Sequence, residues 1–336
     1  MEAEKYRDQF QRTCFKPALN ELLRQTGENL SKNTESIIPQ VIKPVARLMN
    51  SVGKMLPEEI AAGRSVWISL SFLRISLLQE KPVILAEVYK EIPYIKPPIL
   101  AQEIPSEWMF SSFGNFQEDI SRRVQEEVLK RYIRKPELKS YESAAVSTIL
   151  RYIFFYMKYV IRNLEGEQSW TLFGQGSDLT ISFGEYMDWQ IPIAAIRPEI
   201  DLFLCDKETD RSFRRFKGLY YEGNDFFEWI LDDCVFEQCK FQKMEFIGTK
   251  FRNTRFMDCT FEGCTFQEVS FMGASILNCM FRKVKFADCN FEGGWQKEEE
   301  QIMYYALGTF RWCIMDGVQW ENTETTEDMF IECHIL

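Results

Sequence analysis

The sequence predicts a β-solenoid over residues 216–336, preceded over residues 1–215 by an α+β, mainly helical domain. Three observations carry that reading. From Leu219 to Gly293 a large side chain recurs at every fifth position, from Tyr221, Phe226, Leu231 and Phe236 through to Phe291. The same phase resumes after residue 307, with Phe310, Met315, Trp320, Phe330 and Ile335 in the recurring place. Before residue 216 the apolar pattern instead follows the periods of ordinary helices and strands.

A period of five is neither the 3.6 of a helix nor the 2 of a strand, so the chain must turn a corner once per unit. A short self-similar period marks a solenoid, in which each turn covers the apolar face of the next. Two places before each large residue stands a smaller one, among them Cys234, Cys239, Met244, Thr249, Thr254, Cys259, Cys264, Val269, Ala274, Cys279, Val284 and Cys289. Asn224 and Trp229 depart from that rule in the first coil. A middle Phe or Leu with a small residue two places earlier, held over fifteen consecutive units, resembles the pentapeptide-repeat family. The resemblance implies a right-handed quadrilateral β-helix with four units per coil, so that residues twenty apart stack about 4.8 Å from one another. Cys239, Cys259 and Cys279 then form a ladder up one inner side. With some six further units towards the C-terminus, the solenoid has roughly five coils and a length of about 25 Å.

In the first domain, residues 2–27 read as a helix with Phe10, Cys14, Leu19, Leu22 and Leu23 on its apolar face. A second helix is expected over about 34–51, capped by Ser31 or Asn33, and a short third between Gly53 and Gly63 with Pro57 in its first turn. Val66–Phe72 alternates with period two, which predicts a strand running on to about Leu78. Gln79–Pro82 is a turn, and Val83–Ile92 returns as the second strand of a hairpin. Pro93, Pro97, Pro98 and Pro105 keep the next stretch extended before a helix over Asn115–Arg134. Tyr141–Leu164 has the strongest helical pattern, with Val146, Ile149, Leu150, Ile153, Met157, Val160, Ile161 and Leu164 on one face and Arg151, Lys158 and Arg162 in a solvated stripe opposite. Strand-like runs follow at Trp170–Phe173, Leu179–Phe183 and Asp201–Leu204, and Asp206–Arg215 is a charged link. Within the solenoid, residues 294–307 break the register as a 14-residue insertion with a helix-like pattern, and Thr325 is the one weak middle residue of the later units.

Residues 1–218 hold 30 basic and 29 acidic residues, against 10 and 21 in residues 219–336. Phosphate binding needs a basic surface, so no direct nucleic-acid binding is expected of the solenoid. The charged, polar stretch Met1–Thr13 does not resemble a cleavable leader, and a cytoplasmic location is expected. Ala145–Ile161 is the best membrane candidate, but Arg151 and Lys158 lie inside it, so no membrane span is expected. Eight of the ten cysteines (Cys234, Cys239, Cys259, Cys264, Cys279, Cys289, Cys313 and Cys333) occupy the small inward position and read as compact apolar fillers rather than disulfides or zinc ligands.

No constellation for catalysis, cofactor or metal emerges. The single histidine, His334, reads as a surface residue, which removes the centre of histidine-based triads and zinc sites. Gly174-Gln175-Gly176 begins like a dinucleotide loop but position 179 is Leu. Glu298-Glu299-Glu300 would point three ways around a helix. The carboxylate pairs Asp232-Asp233 and Glu126-Glu127 carry no weight alone. The chain is therefore expected to be a non-enzymatic protein-binding or scaffold protein without a cofactor. Its candidate partner surface is formed by the outward apolar residues Phe227, Ile247, Met257, Met272 and Leu277. The family resemblance implies an alternative: some pentapeptide-repeat proteins resemble duplex DNA in shape and charge, bind type II topoisomerases and protect against their inhibitors. The acid needed for that is uneven here, with 12 acids and 8 bases in residues 219–293.

Overall fold

The computed structural model describes residues 2–90, 92–125, 129–173, 178–197, 200–204, 209–298 and 301–336. Two compact units result, Met1–Gly174 with Leu179–Ile193, and Ala194–Leu336 with Gln175–Asp178.

In the first unit, α1 (Glu2–Phe10) passes through a π-turn at Gln11–Phe15 into α2 (Lys16–Met55), a helix of 40 residues. Pro17 removes a backbone donor just after the π-turn, the usual setting for such a local widening. The expected break before residue 34 does not occur. Thr26, Asn33, Thr34 and Ser36 bond back to carbonyls three or four residues earlier, so the polar run stays helical. Pro39 and Pro44 lie inside the helix, whose long buried face (Ile37, Val41, Val45, Val52) outweighs their missing donors.

After α3 (Pro57–Ala61), β1 (Ser65–Phe72) ends where α4 (Arg74–Leu78) begins, so the strand expected to reach Leu78 is shorter. β2 (Val83–Tyr89) returns antiparallel to β1, with Trp67 opposite Tyr89 and Leu70 opposite Ala86. β3 (Leu100–Pro105) pairs with β2. The helix expected over 115–134 is found as α5 (Phe113–Val124) and α6 (Leu129–Tyr132). α7 (Lys135–Ile161) buries all of the apolar face read from the sequence. Its basic stripe is less solvated than expected, because Lys158 is only 6% exposed and lies 5.1 Å over the Phe154 ring. The stretch Lys135–Gly166 is long and apolar enough to cross a membrane, and 56% of its most apolar window is buried inside the protein. Trp170–Phe173 is not a strand, since α8 (Gln168–Thr171) occupies it. β4 (Asp178–Glu185) and β5 (Gln190–Ile196) complete a sheet of order β3-β2-β1-β4-β5.

In the second unit the five-residue period becomes parallel stacks of three-residue strands. The first side is built from Arg215–Lys217, Val235–Glu237, Arg255–Met257, Ser275–Leu277, Thr309–Arg311 and Phe330–Ile331. The second runs from Tyr220–Glu222 to His334–Ile335, and the third from Asp225–Phe227 to Gln319–Glu321. The fourth carries only single bridges, Ile230 to Lys250 to Ser270 to Asn290. Phe241, Phe261 and Phe281 are in register and stack at 4.8 Å with nearly parallel rings. Neighbouring columns meet edge to face, as at Phe256–Phe261.

Each corner follows from one residue, two places after the centre, in the left-handed region. Glycine takes it at Gly223 and Gly263, but so do Glu228, Asp233, Gln238, Lys243 and Glu268 at φ of 54° to 58° or, for Lys243, 50°. The coil therefore bends the same way whatever side chain stands at the corner.

The interruption at 294–307 is not helical. Gly294–Glu298 and Gln301–Tyr305 form an antiparallel hairpin, with Trp295 against Tyr304 at 5.3 Å. Cross-strand aromatic packing overrides the helix propensity of a Glu- and Gln-rich run. The coil resumes around the insertion in phase: Ile276 pairs Phe310, and Phe281 pairs Met315. Thr325 is exposed, and Met329, four residues later, is buried in the core in that part of the coil. At the other end Asp201–Leu204, expected as a strand, is a turn in which Leu202 is buried in the solenoid core and Phe203 packs on Tyr221, Phe226 and Trp229.

Candidate partner-binding surface

The inward positions carry no chemistry that reaches solvent. The nine described cysteines are free thiols, buried except for the half-buried Cys333. They do more than fill space. Cys239, Cys259 and Cys264 direct their thiols to the carbonyls of Phe216, Phe236 and Phe241, each 23 residues earlier, at 3.3–3.4 Å. Thr249 and Thr254 donate by the same rule to Phe226 and Leu231 at 2.8 and 2.6 Å. Where Cys or Thr fills the position, its donor ties one coil to the last, whereas Met244, Val269, Ala274 and Val284 fill it without a donor. Burial pushes the Cys264 thiol up to about 11 and that of Cys289 up to about 12, and raises Cys234 and Cys279 as well. These thiols stay protonated and unreactive near neutrality.

The outward positions form columns whose order the register fixes. On the first side the column reads Lys217, Glu237, Met257, Leu277, Arg311, Ile331. On the third it reads Phe227, Ile247, Gln267, Ala287, Glu321. Met257 and Leu277 are adjacent half-buried rungs, and Phe227, 58% exposed, adjoins the half-buried Ile247. Met272 does not belong with them. It lies on the fourth side and is 8% exposed, where the returning hairpin bonds to the coil through Gly273 N–H and Ala306 O. The candidate residues thus lie on three sides, as two apolar pairs and one buried methionine.

Some charges outside the apolar pairs are matched along the columns, although residues 219–336 hold 21 acids against 10 bases. Lys217 bonds Glu237 at 2.7 Å, Lys285 bonds Glu321 at 2.5 Å, and Arg282 lies 3.6 Å from Asp316. On the fourth side Asp232 accepts hydrogen bonds from Arg252 at its backbone N–H (2.9 Å) and Nε (2.8 Å), while the Arg252 guanidinium sits 5.6 Å from the Tyr305 ring. Burial raises the Asp232 carboxyl, with the Arg252 hydrogen bonds opposing it. This pair escaped the sequence reading, although Asp232 and Arg252 stand twenty residues apart in equivalent positions.

His334 is exposed in the last strand, and its backbone N–H bonds Cys313 O. Asp232 and Asp233 do not act as a carboxylate pair, since Asp232 belongs to Arg252. Gly174-Gln175-Gly176, Glu126-Glu127 and the end of Glu298-Glu299-Glu300 lie outside the described residues. Among the described residues, no group of three or more His, Cys, Asp or Glu side chains is placed to hold a metal ion.

Residues 231–275 match the family described as pentapeptide repeats (9 copies). With the four-sided coil and its register, this makes the C-terminal half of the chain a pentapeptide-repeat solenoid. Among solved structures, the pentapeptide repeat protein Rfr23 from the cyanobacterium Cyanothece 51142 is similar over 34% of this chain and 92% of its own, at 11% identity and a TM-score of 0.18. Full-length QnrB1, a plasmid-mediated fluoroquinolone resistance protein, is similar over 36% of this chain and 93% of its own, at 13% identity and a TM-score of 0.15. No curated protein matches the chain.

Proposed function

We propose that the chain is a non-catalytic scaffold whose solenoid seats a protein partner on the apolar rungs Met257–Leu277 and Phe227–Ile247. The adjacency of Met257 and Leu277, paired in register and flanked by charged rungs, carries the reading. A rigid coil presents such rungs without an entropic cost of ordering them, which favours binding over catalysis. The uneven acid, only 12 acids against 8 bases in residues 219–293, supports a scaffold over a DNA mimic, which needs acid along its whole length.

The test is capture of the partner from the source cell by full-length protein, identified by mass spectrometry and then measured with purified components. Met257→Lys with Leu277→Lys is expected to abolish that capture, and the wild-type affinity should change little with salt because apolar burial is not screened. The wild-type protein is expected not to inhibit supercoiling by a type II topoisomerase at micromolar concentration. Inhibition that survives the double change, yet is lost when Asp316, Glu321, Glu324 and Glu327 are neutralised, would replace the scaffold with the DNA mimic.

A further inference from the structure

A cavity of about 520 Å³ lies within the first unit. That volume is in the range of roughly 300–1,000 Å³ typical of small-molecule sites. Its floor is apolar: Phe110, Phe113 and Val146 are each buried, and the Phe110 and Phe113 rings meet edge to face at 5.9 Å. Leu78 of α4 stands at the lip, 78% exposed. Gly114 of α5 opens the wall, since a methyl group added there would meet no atom within 4 Å.

The charges around this cavity are unevenly satisfied. Both cations are already held: Arg74 binds both carboxylate oxygens of Glu185 at 2.5 and 2.6 Å and Ser147 at 2.9 Å. Lys139 bonds Glu142 at 2.6 Å, and Gln117 bonds the same carboxylate at 3.0 Å. Glu80 and Glu107, which also line the cavity, are exposed to solvent and have no ion-pair partner among the described residues. Glu80 is moreover held at φ 57°, a conformation that a glutamate adopts only at some cost. An occupant of the apolar cleft therefore meets two solvent-exposed carboxylates at its edge, while both cations of the lining are already engaged.

We propose that this cavity binds a small organic cation, an apolar body carrying a protonated amine, with the body on Phe110, Phe113 and Val146 and the ammonium at Glu80 and Glu107. An organic anion of the same shape is disfavoured, because the carboxylates repel it and Arg74 and Lys139 are engaged elsewhere.

Calorimetric titration of the full-length protein with three indoles of one shape tests this: tryptamine as cation, indole-3-propionate as anion and 3-(2-hydroxyethyl)indole as neutral control. Tryptamine is expected to bind at least about tenfold more tightly than the anion. Glu80→Gln with Glu107→Gln should bring the two within about threefold and leave the neutral control unchanged. Gly114→Leu should fill the cleft and weaken all three by at least about tenfold. Should that variant not melt cooperatively, the Gln pair decides alone. Equal affinity for anion and cation overturns the proposal, as does tryptamine binding unchanged in a folded Gly114→Leu variant. The absence of tryptamine binding at about 5 mM overturns it too.

Discussion

In the solenoid Phe241, Phe261 and Phe281 are equivalent residues that meet across one coil, and ties such as Lys217–Glu237 join positions 20 residues apart. In the first unit Arg74 reaches Glu185 across 111 residues, and β1 lies between β2 and β4, which α5 to α8 separate in the chain. A repeat array sums nearest-neighbour terms, so a lesion in one coil is felt by the coils on either side. A fold built on distant pairings is lost or kept as a whole. The same buried phenylalanine therefore means different things in the two regions: a repeated unit of stability in one, a single keystone contact in the other.

The sharpest way to break that comparison is Phe261→Ala. The ring is 2% exposed and stacked on both sides, so its removal should cost about 3–5 kcal/mol. Urea unfolding followed by near-ultraviolet circular dichroism would show it. A loss below about 1 kcal/mol would mean that neighbouring coils close the gap, and that the columns do not behave as separate stacked terms.

The periodic half was legible because each unit answers the same demand, a large centre, a small inward residue and a corner. The centres from Tyr221 to Phe291 and their phase beyond the insertion could be counted from residue spacing alone. Two features were not. The hairpin at 294–305 uses residues of high helix propensity, and only the Trp295–Tyr304 contact decides against a helix. Met272 followed the outward rule but is buried, because an element outside the repeat covers its side. In the first unit Ser31 and Asn33 carry the chemistry of a helix cap, yet sit inside α2, where Asn33 bonds back to Asn29 O and Ser31 faces solvent. The cavity edged by Glu80 and Glu107 draws on three separate segments, so no spacing announces it.

Two smaller effects sharpen the rules within the coil. Gly263 stands at a corner with φ 62°, and Gly263→Ala should cost about 1–2 kcal/mol although there is room for the methyl group. The matching change Glu268→Gly should stabilise by a similar or smaller amount, and thermal melting in which Gly263→Ala stabilises or Glu268→Gly destabilises would remove the corner argument. Thr254→Val keeps shape but deletes the bond to Leu231 O, and should cost about 1 kcal/mol, with Thr254→Cys recovering part of it. If the Val and Cys variants melt alike, the inward position is selected for size alone.

The smallest effect concerns pH, and it separates a thiol buried in the coil from one in an unfolded chain. The unfolded Cys264 thiol ionises near its ordinary value of about 8.5, whereas the buried one is pushed up to about 11. A raised folded-state value means that the folded chain holds its proton longer. The stabilisation is thus fully present below about pH 8.5 and is lost as pH rises from there towards 11. Between pH 7 and 9 one such thiol changes stability by less than about 1 kcal/mol, so the comparison must be made against Cys264→Ala in matched denaturant melts. The wild type should lose stability with rising pH more steeply than the variant, and equal slopes would show that Cys264 is not held neutral by burial. Thiol labelling at neutral pH gives an independent reading: the half-buried Cys333 should react first among the described repeat cysteines, and Cys239, Cys259 and Cys279 only after the coil unfolds.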